Sequence, residues 1–388
     1  MRVIYYTSAN FMDSALETIQ LIKKKHEVHL IIEVTPFSQH ATIIQIESLA
    51  GKKLISKPEE VLSHDQMALF NSYFEGLASV HFVVHKNKRG FSPLSMINAL
   101  KVGRFMRSIG FDIIHLDNIS QRILALAPFL SKKKMIVTLH DPLPHTGEES
   151  WKIKVRDKYF ISSASGFMFY SKFSRDTFVK LHPQVKAPSY AILLQPCSFM
   201  RHYLSTNTVP NHAVLFWGRL STYKGIDILL HAIPLVLKRF PDQQFIIAGK
   251  PSFDFKMDDS LLRPIAKNVT FIPDYLSLSA VAALIQQSKF LVCPYRDATQ
   301  SGVLTTAFAL GKTAVVSDVG SFREYLENEV NGLIALPEPA SFADSVISAL
   351  EHDHYLALEK NVQVQYSDAK KKGLAATLDL AYENALNN

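Results

Sequence analysis

Cysteine is almost missing from this 388-residue chain: only Cys197 and Cys293 are present. Two thiols exclude a disulfide framework and a cysteine-built zinc site, and they fit a reducing compartment. Long apolar runs are missing as well. The longest clean one, Ile123 to Leu130, is far short of the roughly 20 residues a helix needs to cross a bilayer. The opening Met-Arg-Val-Ile-Tyr-Tyr-Thr-Ser reads as a strand and lacks the positive n-region and apolar stretch of a signal peptide. A cytoplasmic location is expected. There is no G-x-G-x-x-G fingerprint, no short-period repeat and no low-complexity tract. With 47% hydrophobic and 20% charged residues, the composition excludes a disordered chain.

What is present is ample core material and an uneven charge. The length suits two domains. Residues 1–200 hold 25 basic and 16 acidic residues, against 17 and 19 in 201–388, so the two halves are expected to meet different partners.

Short β-rich runs alternate with amphipathic helical stretches. Strands are expected at Val3–Thr7, Glu27–Glu33, Val80–His85, Asp112–His115 and Met135–Leu139, with helices around Ser14–Lys25, Leu94–Ile109 and Trp151–Ser162. The pattern resumes at Ala213–Trp217, Gln244–Ala248, Val269–Ile272, Phe290–Cys293 and Ala314–Ser317. Helices are expected there around Gly225–Phe240, Ser279–Gln287, Gly302–Leu310, Ser321–Leu326 and Ser341–Leu350. Buried parallel strands joined by right-handed crossovers account for this alternation. The polar stretch Arg201–His212 reads as a linker. We therefore expect an α/β protein of two Rossmann-like doubly wound domains, 1–204 and 205–355, facing a central cleft. A helical segment, 356–388, is expected to return to the first domain. Ligands of such sheets bind beyond the carboxyl ends of the strands.

Two clusters carry chemistry. In Phe216-Trp217-Gly218-Arg219-Leu220-Ser221-Thr222-Tyr223-Lys224-Gly225 a strand ends in glycine and a loop with two cations precedes a helix. Arginine can fork two phosphate oxygens, lysine adds a mobile charge and the helix start adds N–H groups, which makes a diphosphate clamp. Solvated surface cations are the plainer reading of each alone. In Pro294-Tyr295-Arg296-Asp297-Ala298-Thr299-Gln300-Ser301-Gly302-Val303 small and hydroxylated residues open a helix where an anion can approach backbone N–H groups. A ligand-free N-cap is the plainer alternative.

The run Val214–Leu350 resembles the donor-binding domain of the retaining glycosyltransferases of family 4, of the glycosyl transferases group 1 type, which have the two-domain GT-B fold. The resemblance rests on Gly218-Arg219-Leu220 with Lys224-Gly225, Ile246-Ile247-Ala248-Gly249, Val292-Cys293-Pro294-Tyr295, Gly311-Lys312, and Gly320-Ser321-Phe322-Arg323-Glu324 with Asn331-Gly332-Leu333. It implies that Arg219 and Lys224 hold the nucleotide diphosphate. It also implies that Gly218, Ile272, Asp297, Thr299, Gln300, Ser301, Gly302, Val303 and Thr306 line the donor site. His140, in Met135-Ile-Val-Thr-Leu-His140-Asp141, matches a family histidine near the donor sugar, and Ser171 matches another family position. Ser8, Ala9 and Asn10 stand where the family has a glycine-rich loop, here on the acceptor side. The chain departs from the family at its two glutamates, whose places hold Ala298 and Thr306; Asp297 is the neighbouring carboxylate, and Thr305 or Thr306 is suited to a ribose hydroxyl.

The activity so implied is transfer of a sugar, with retention, from a nucleotide diphosphate sugar to a glycan or polyprenyl-linked acceptor in cell-surface polysaccharide synthesis, without a metal or other cofactor. Lys86, Lys88, Arg89, Lys101, Arg104 and Arg107 lie in a stretch without acids. Lys101, Arg104 and Arg107 share a helical face suited to an anionic membrane surface, opposite Ile97, Leu100 and Phe105 in part. Lys152, Lys154, Arg156 and Lys158 form a second basic group. Nucleic acid is not expected, since no stacking pattern or DNA-binding motif accompanies the cations. Two other functions fit the same pattern: a sugar-nucleotide epimerase or hydrolase, and an idle sugar-nucleotide-binding subunit, the latter motivated by the missing glutamates.

Overall fold

The computed structural model describes residues 1–41, 43–90, 92–117, 120, 122–130, 134–142, 158–206, 209–252, 255–362 and 368–387. The basic residues Lys152, Lys154 and Arg156, and the first part of the helix expected from Trp151, lie outside these; residues 158–163 are helical. The chain divides into two units, Met1–Leu193 with Lys371–Asn388, and Leu194–Lys370.

The first unit is built on strands β1 (Arg2–Ser8), β2 (Glu27–Val34), β3 (Ile55–Ser56), β4 (Ser79–Val84), β5 (Ile113–Asp117), β6 (Lys134–Thr138), β7 (Gly166–Phe169) and β8 (Ser189–Ala191). They form one sheet in the order β3-β4-β2-β1-β5-β6-β7-β8. Every pairing is parallel except the short β3 against β4. Central strands covered on both faces read as near-continuous apolar runs, as Val3-Ile4-Tyr5-Tyr6 does, each almost fully buried. The strand order reverses direction at β1, which lies between β2 and β5.

The second unit carries β9 (Val214–Trp217), β10 (Phe245–Ala248), β11 (Val269–Ile272), β12 (Phe290–Cys293), β13 (Ala314–Ser317) and β14 (Leu333–Ala335). Its sheet is wholly parallel, in the order β11-β10-β9-β12-β13-β14. Here the order reverses between β9 and β12, whose loops therefore diverge and leave room for a ligand.

Four described strands are additional to the sequence pattern: β3, β7, β8 and β14, of two to four residues. β5 runs on to Asp117, beyond the expected end at His115. Polar residues hid that extension. His115 is fully buried, its ring nitrogens bonded to the Tyr382 hydroxyl and to Thr138 Oγ1, both at 2.7 Å.

The division between units falls at Leu193 and Leu194, before the expected 204. The start of the expected linker is instead the helical turn Ser198–Tyr203. Phe199 and Met200 are buried there, and Arg201 Nε donates to the Ala309 carbonyl at 2.8 Å. At the other end, the helix His354–Val362 stays with the second unit, because Tyr355, Leu358 and Val362 are buried and Lys312 pairs with Glu359 at 3.4 Å. Only from Lys371 does the chain rejoin the first unit. In the helix Asp368–Asn387, Leu378, Ala381, Tyr382 and Ala385 are fully buried at helical spacing. Asp379 accepts from Lys25 at 2.9 Å and pairs with His26 at 2.7 Å.

Candidate donor site and a buried histidine

The expected clamp lies where the second sheet reverses. After β9 the chain turns at Gly218 (φ 134°), and a short 3-10 turn, Thr222–Lys224, leads to the helix Ile226–Arg239. After β12 the segment Pro294–Ser301 leads to the helix Gly302–Ala309. The two loops are fastened to each other. Arg296 N–H donates to the Tyr223 carbonyl at 2.8 Å, and its guanidinium forks onto Asp227 at 2.7 and 2.5 Å. Gly225 adopts the left-handed conformation (φ 63°), and a Cβ there would fall 1.9 Å from the Pro294 carbonyl oxygen. Only glycine fits this crossing.

Lys224 is buried, and its Nζ donates to the Tyr295 hydroxyl at 2.6 Å. Burial lowers its pKa to about 8, with the nearby Arg219 charge acting in the same direction. Burial raises the neighbouring Cys293 thiol to about 11 and the Tyr295 hydroxyl well above its usual value. Both are therefore protonated near neutrality, and Lys224 makes no ion pair with a described residue. Arg219 is exposed, without a hydrogen bond or ion pair to any described residue. A Cβ built on Gly218 would lie 3.1 Å from Val303 and 3.5 Å from Lys224 Nζ. Gly218, Lys224 and Val303, three of the residues expected to line the donor site, thus lie close together.

Ser301 caps its helix, its hydroxyl accepting from Leu304 N–H at 3.2 Å. The N–H groups of Gly302 and Val303, in the first turn, have no partner within the helix. The two threonines separate clearly. Thr305 Oγ1 is committed to the Ser301 and Gly302 carbonyls, at 3.3 and 3.2 Å. The Thr306 hydroxyl bonds no described residue. Ala298 is buried, its carbonyl accepting from Ser321 N–H at 2.8 Å, with Gly320 packed against it. Asp297 is exposed, and Thr299 and Gln300 are half-buried. Ile272 ends β11, and its carbonyl accepts from Gly249 and Asp274, both at 2.9 Å. The contacts of Tyr295 with Lys224 and of Arg296 with Asp227 are not legible in the sequence, because each joins residues distant in the chain.

The first unit carries its own polar group at the carboxyl ends of β1, β5 and β6. His140, 6% exposed, pairs through Nε2 with Asp117 Oδ1 at 2.9 Å. Asp117 Oδ2 accepts from Thr7 Oγ1 at 3.0 Å. The imidazole packs against the rings of Phe11, at 4.0 Å, and Tyr170, at 5.1 Å. Asp13 stands close enough for its carboxyl, raised by burial, to feel the charges of both His140 and Asp117. Ser8, Ala9 and Asn10 form the turn after β1: Ala9 is buried, Asn10 exposed. Ser171 is fully buried and caps the helix Lys172–Leu181 through Ser174 N–H at 3.0 Å, a structural duty. A second buried group joins Tyr6, Glu33, His85 and Arg122. The Tyr6 hydroxyl donates to Glu33 at 2.9 Å, and Arg122 donates to the Asn87 carbonyl at 2.6 Å.

Lys101, Arg104 and Arg107 project from the helix Pro93–Ile109 and are exposed. Arg107 lies over the Phe129 ring at 4.8 Å. The sequence expectation that Ile97 and Leu100 oppose these cations is corrected: Leu94, Met96, Ile97 and Leu100 are all about half exposed. The buried stripe is Ser95, Ala99, Val102, Gly103 and Met106. Small residues at that stripe let Phe129 pack closely; a Cβ on Gly103 would be 2.3 Å from its ring.

A parallel sheet with cations and helix N-termini beside its switch point defines an α/β protein of nucleotide-binding type. Residues 211–352, most of the second unit, match the family model described as Glycosyl transferases group 1. The GDP-mannose:cellobiosyl-diphosphopolyprenol alpha-mannosyltransferase of Xanthomonas oryzae pv. oryzae is 27% identical over 62% of this chain and 64% of its own length. The phosphatidyl-myo-inositol mannosyltransferase of Mycobacterium tuberculosis is 32% identical over 36% of this chain and 38% of its own. The chain thus spans less than two thirds of these relatives. Among solved structures, Anabaena Alr3699/HepE in complex with UDP has a TM-score of 0.66 at 16% identity, covering 98% of this chain and all of that one. Sucrose-phosphate synthase of Thermosynechococcus elongatus has a TM-score of 0.61 at 13% identity, covering 99% and 98%. The fold is GT-B.

Proposed function

We propose that the chain is a retaining glycosyltransferase that moves a sugar from a nucleotide diphosphate sugar to a glycan or lipid-linked acceptor, in cell-surface polysaccharide synthesis. The observation that carries this reading is the pairing of Arg219 and Lys224 with the Gly302 helix start, inside a glycosyl transferases group 1 domain. A diphosphate placed there gains a fork, a point charge and backbone N–H groups as the bond to the sugar breaks. The anomeric carbon leaves the diphosphate oxygen and joins the acceptor oxygen; the acceptor proton passes to the departing diphosphate. With alanine and threonine in place of the family's glutamates, Asp297 and Gln300 grip the sugar and Thr306 the ribose. His140 hydrogen-bonds the sugar or offsets developing charge.

The cationic clamp supplies the countercharge, so no metal cofactor is required. Among the described residues, none group as three or more His, Cys, Asp and Glu suited to a metal. No described helix is long and apolar enough to cross a membrane. The helix Pro93–Ile109 supports a peripheral station on the inner membrane face, its Leu94, Met96, Ile97 and Leu100 entering the interface while Lys101 and Arg104 meet anionic headgroups.

Thermal-shift screening against UDP-, GDP- and ADP-sugars tests the donor, since a ligand of the folded state raises its stability by mass action. One sugar nucleotide should stabilise the protein and then label a polyprenyl-linked or glycan acceptor, in EDTA as well as without it. Hydrolysis alone, or turnover that stops on chelation and returns with Mg²⁺, would overturn the respective parts of the reading.

A further inference from the structure

We propose that Asp117 is a positioning residue that acts through His140, holding one tautomer of its imidazole for the sugar-transfer step. The inference rests on the transfer reading above for the use of His140, but its structural part stands without it.

The arrangement is built by three neighbouring strands. Thr7 at the end of β1 and Asp117 at the end of β5 are register partners, and Asp117 is in turn the partner of Thr138 on β6, two residues before His140. Asp117 is 1% exposed, and both its oxygens are used: Oδ2 accepts from Thr7 Oγ1 at 3.0 Å and Oδ1 faces His140 Nε2 at 2.9 Å. A carboxylate is an acceptor only, so the short contact places the proton on Nε2 and makes Nδ1 the accepting nitrogen of the neutral ring. Which ring nitrogen carries the proton is set by the partner of the other. The rings of Phe11 and Tyr170 pack against the imidazole, with centroids at 4.0 and 5.1 Å, and crowd its rotation. The hydroxyl of Tyr170 is itself tied to Thr18 Oγ1 at 3.1 Å. A carboxylate that orders a histidine for group transfer is a general device; here Thr7 fixes the carboxylate in its turn.

The sequence gives no hint of this pair, because Asp117 lies beyond the expected end of its strand at His115. Burying a carboxylate beside a histidine is costly unless both are hydrogen-bonded. Asp13 stands nearby, its carboxyl raised by burial and, to a lesser degree, by the charge of Asp117.

The test uses Asp117→Asn, His140→Gln and the double variant of the full chain. An amide keeps the shape of the carboxylate but can donate to Nε2 and reverse the tautomer. In ¹⁵N-histidine-labelled wild type, the ring signal missing from His140→Gln should report the Nε2–H tautomer, and Asp117→Asn should shift it. Turnover at saturating donor should fall roughly 10- to 100-fold in Asp117→Asn, the Kd for the nucleoside diphosphate alone should not move, and Asp117→Asn should add nothing in the His140→Gln background. Should Asp117→Asn fail to fold, Thr7→Val, which removes only the second hydrogen bond to the carboxylate, must slow turnover in the same direction by less. An unchanged ring signal, or losses that simply add, would overturn the proposal. If wild type transfers no sugar from any donor, the transfer reading fails, while the ring signal still decides whether Asp117 holds His140.

Discussion

Under the clamp reading proposed above, Lys224 meets an approaching diphosphate as a lysine already partly stripped of water. Its amine is buried and bonded to the Tyr295 hydroxyl, with no ion pair to a described residue, so in that reading the ligand supplies the countercharge. Arg219→Ala and Lys224→Ala should each weaken nucleoside diphosphate binding by about 1.5–3 kcal/mol, roughly 10- to 150-fold. The double variant should lose turnover, and wild-type affinity for it in calorimetry would refute the clamp. The lowered pKa also gives a pH signature. Below about 8 Lys224 is charged and ready; above it, binding must first restore a proton. Affinity should therefore be level near pH 7 and fall by up to about tenfold per unit as pH rises past 8. Calorimetry between pH 7 and 9 should show the slope in wild type and its disappearance in Lys224→Gln. An identical slope in both would place the titration elsewhere.

At the scale of elements, the helix Pro93–Ile109 is divided along its length, apolar toward its start and cationic toward its end. Each cation near an anionic surface contributes about 1 kcal/mol, screened beyond roughly 8–10 Å. Joint neutralisation of Lys101, Arg104 and Arg107 to glutamine should remove the preference for anionic over neutral vesicles and its salt sensitivity. Ile97→Ser with Leu100→Ser should weaken co-sedimentation with both vesicle types. If neither set alters it, the face is merely solvated. Helical periodicity made this helix legible in the sequence but left its outer face half read. The pattern shows which residues alternate, while the packing partner, here Phe129 against Gly103, decides which stripe turns inward. The clamp was legible for a different reason: glycines at forced crossings and cations after a strand are local signals. Asp117, Tyr295 and the Arg296–Asp227 staple were not, since each acquires its role from a residue distant in the chain.

At the scale of the molecule, two buried histidines make the first unit acid-sensitive. Burial holds both His115 and His85 down to about 4, with Arg122 adding to the effect on His85. The unfolded chain takes up protons from about 6.5 downward and the folded chain does not. Stability should thus decline as pH falls from 6.5 toward 4, by on the order of 3 kcal/mol for each histidine. Denaturant midpoints across that range should show the decline, and His85→Gln should flatten it. A midpoint that rises on acidification would contradict the assignment.

The return of the last helix has a consequence for synthesis. The second unit is one uninterrupted stretch, Leu194–Lys370, whereas the first is closed by residues that follow it. On the ribosome the early strands emerge first, yet the hydroxyl of Tyr382 that partners His115, and the carboxylate of Asp379 that partners His26, arrive only after the whole second unit has been made. Domains generally fold as units in the order they become complete. Here that order is inverted: the unit begun second is finished first, and the unit begun first keeps two histidines without their final partners until its closing helix is released.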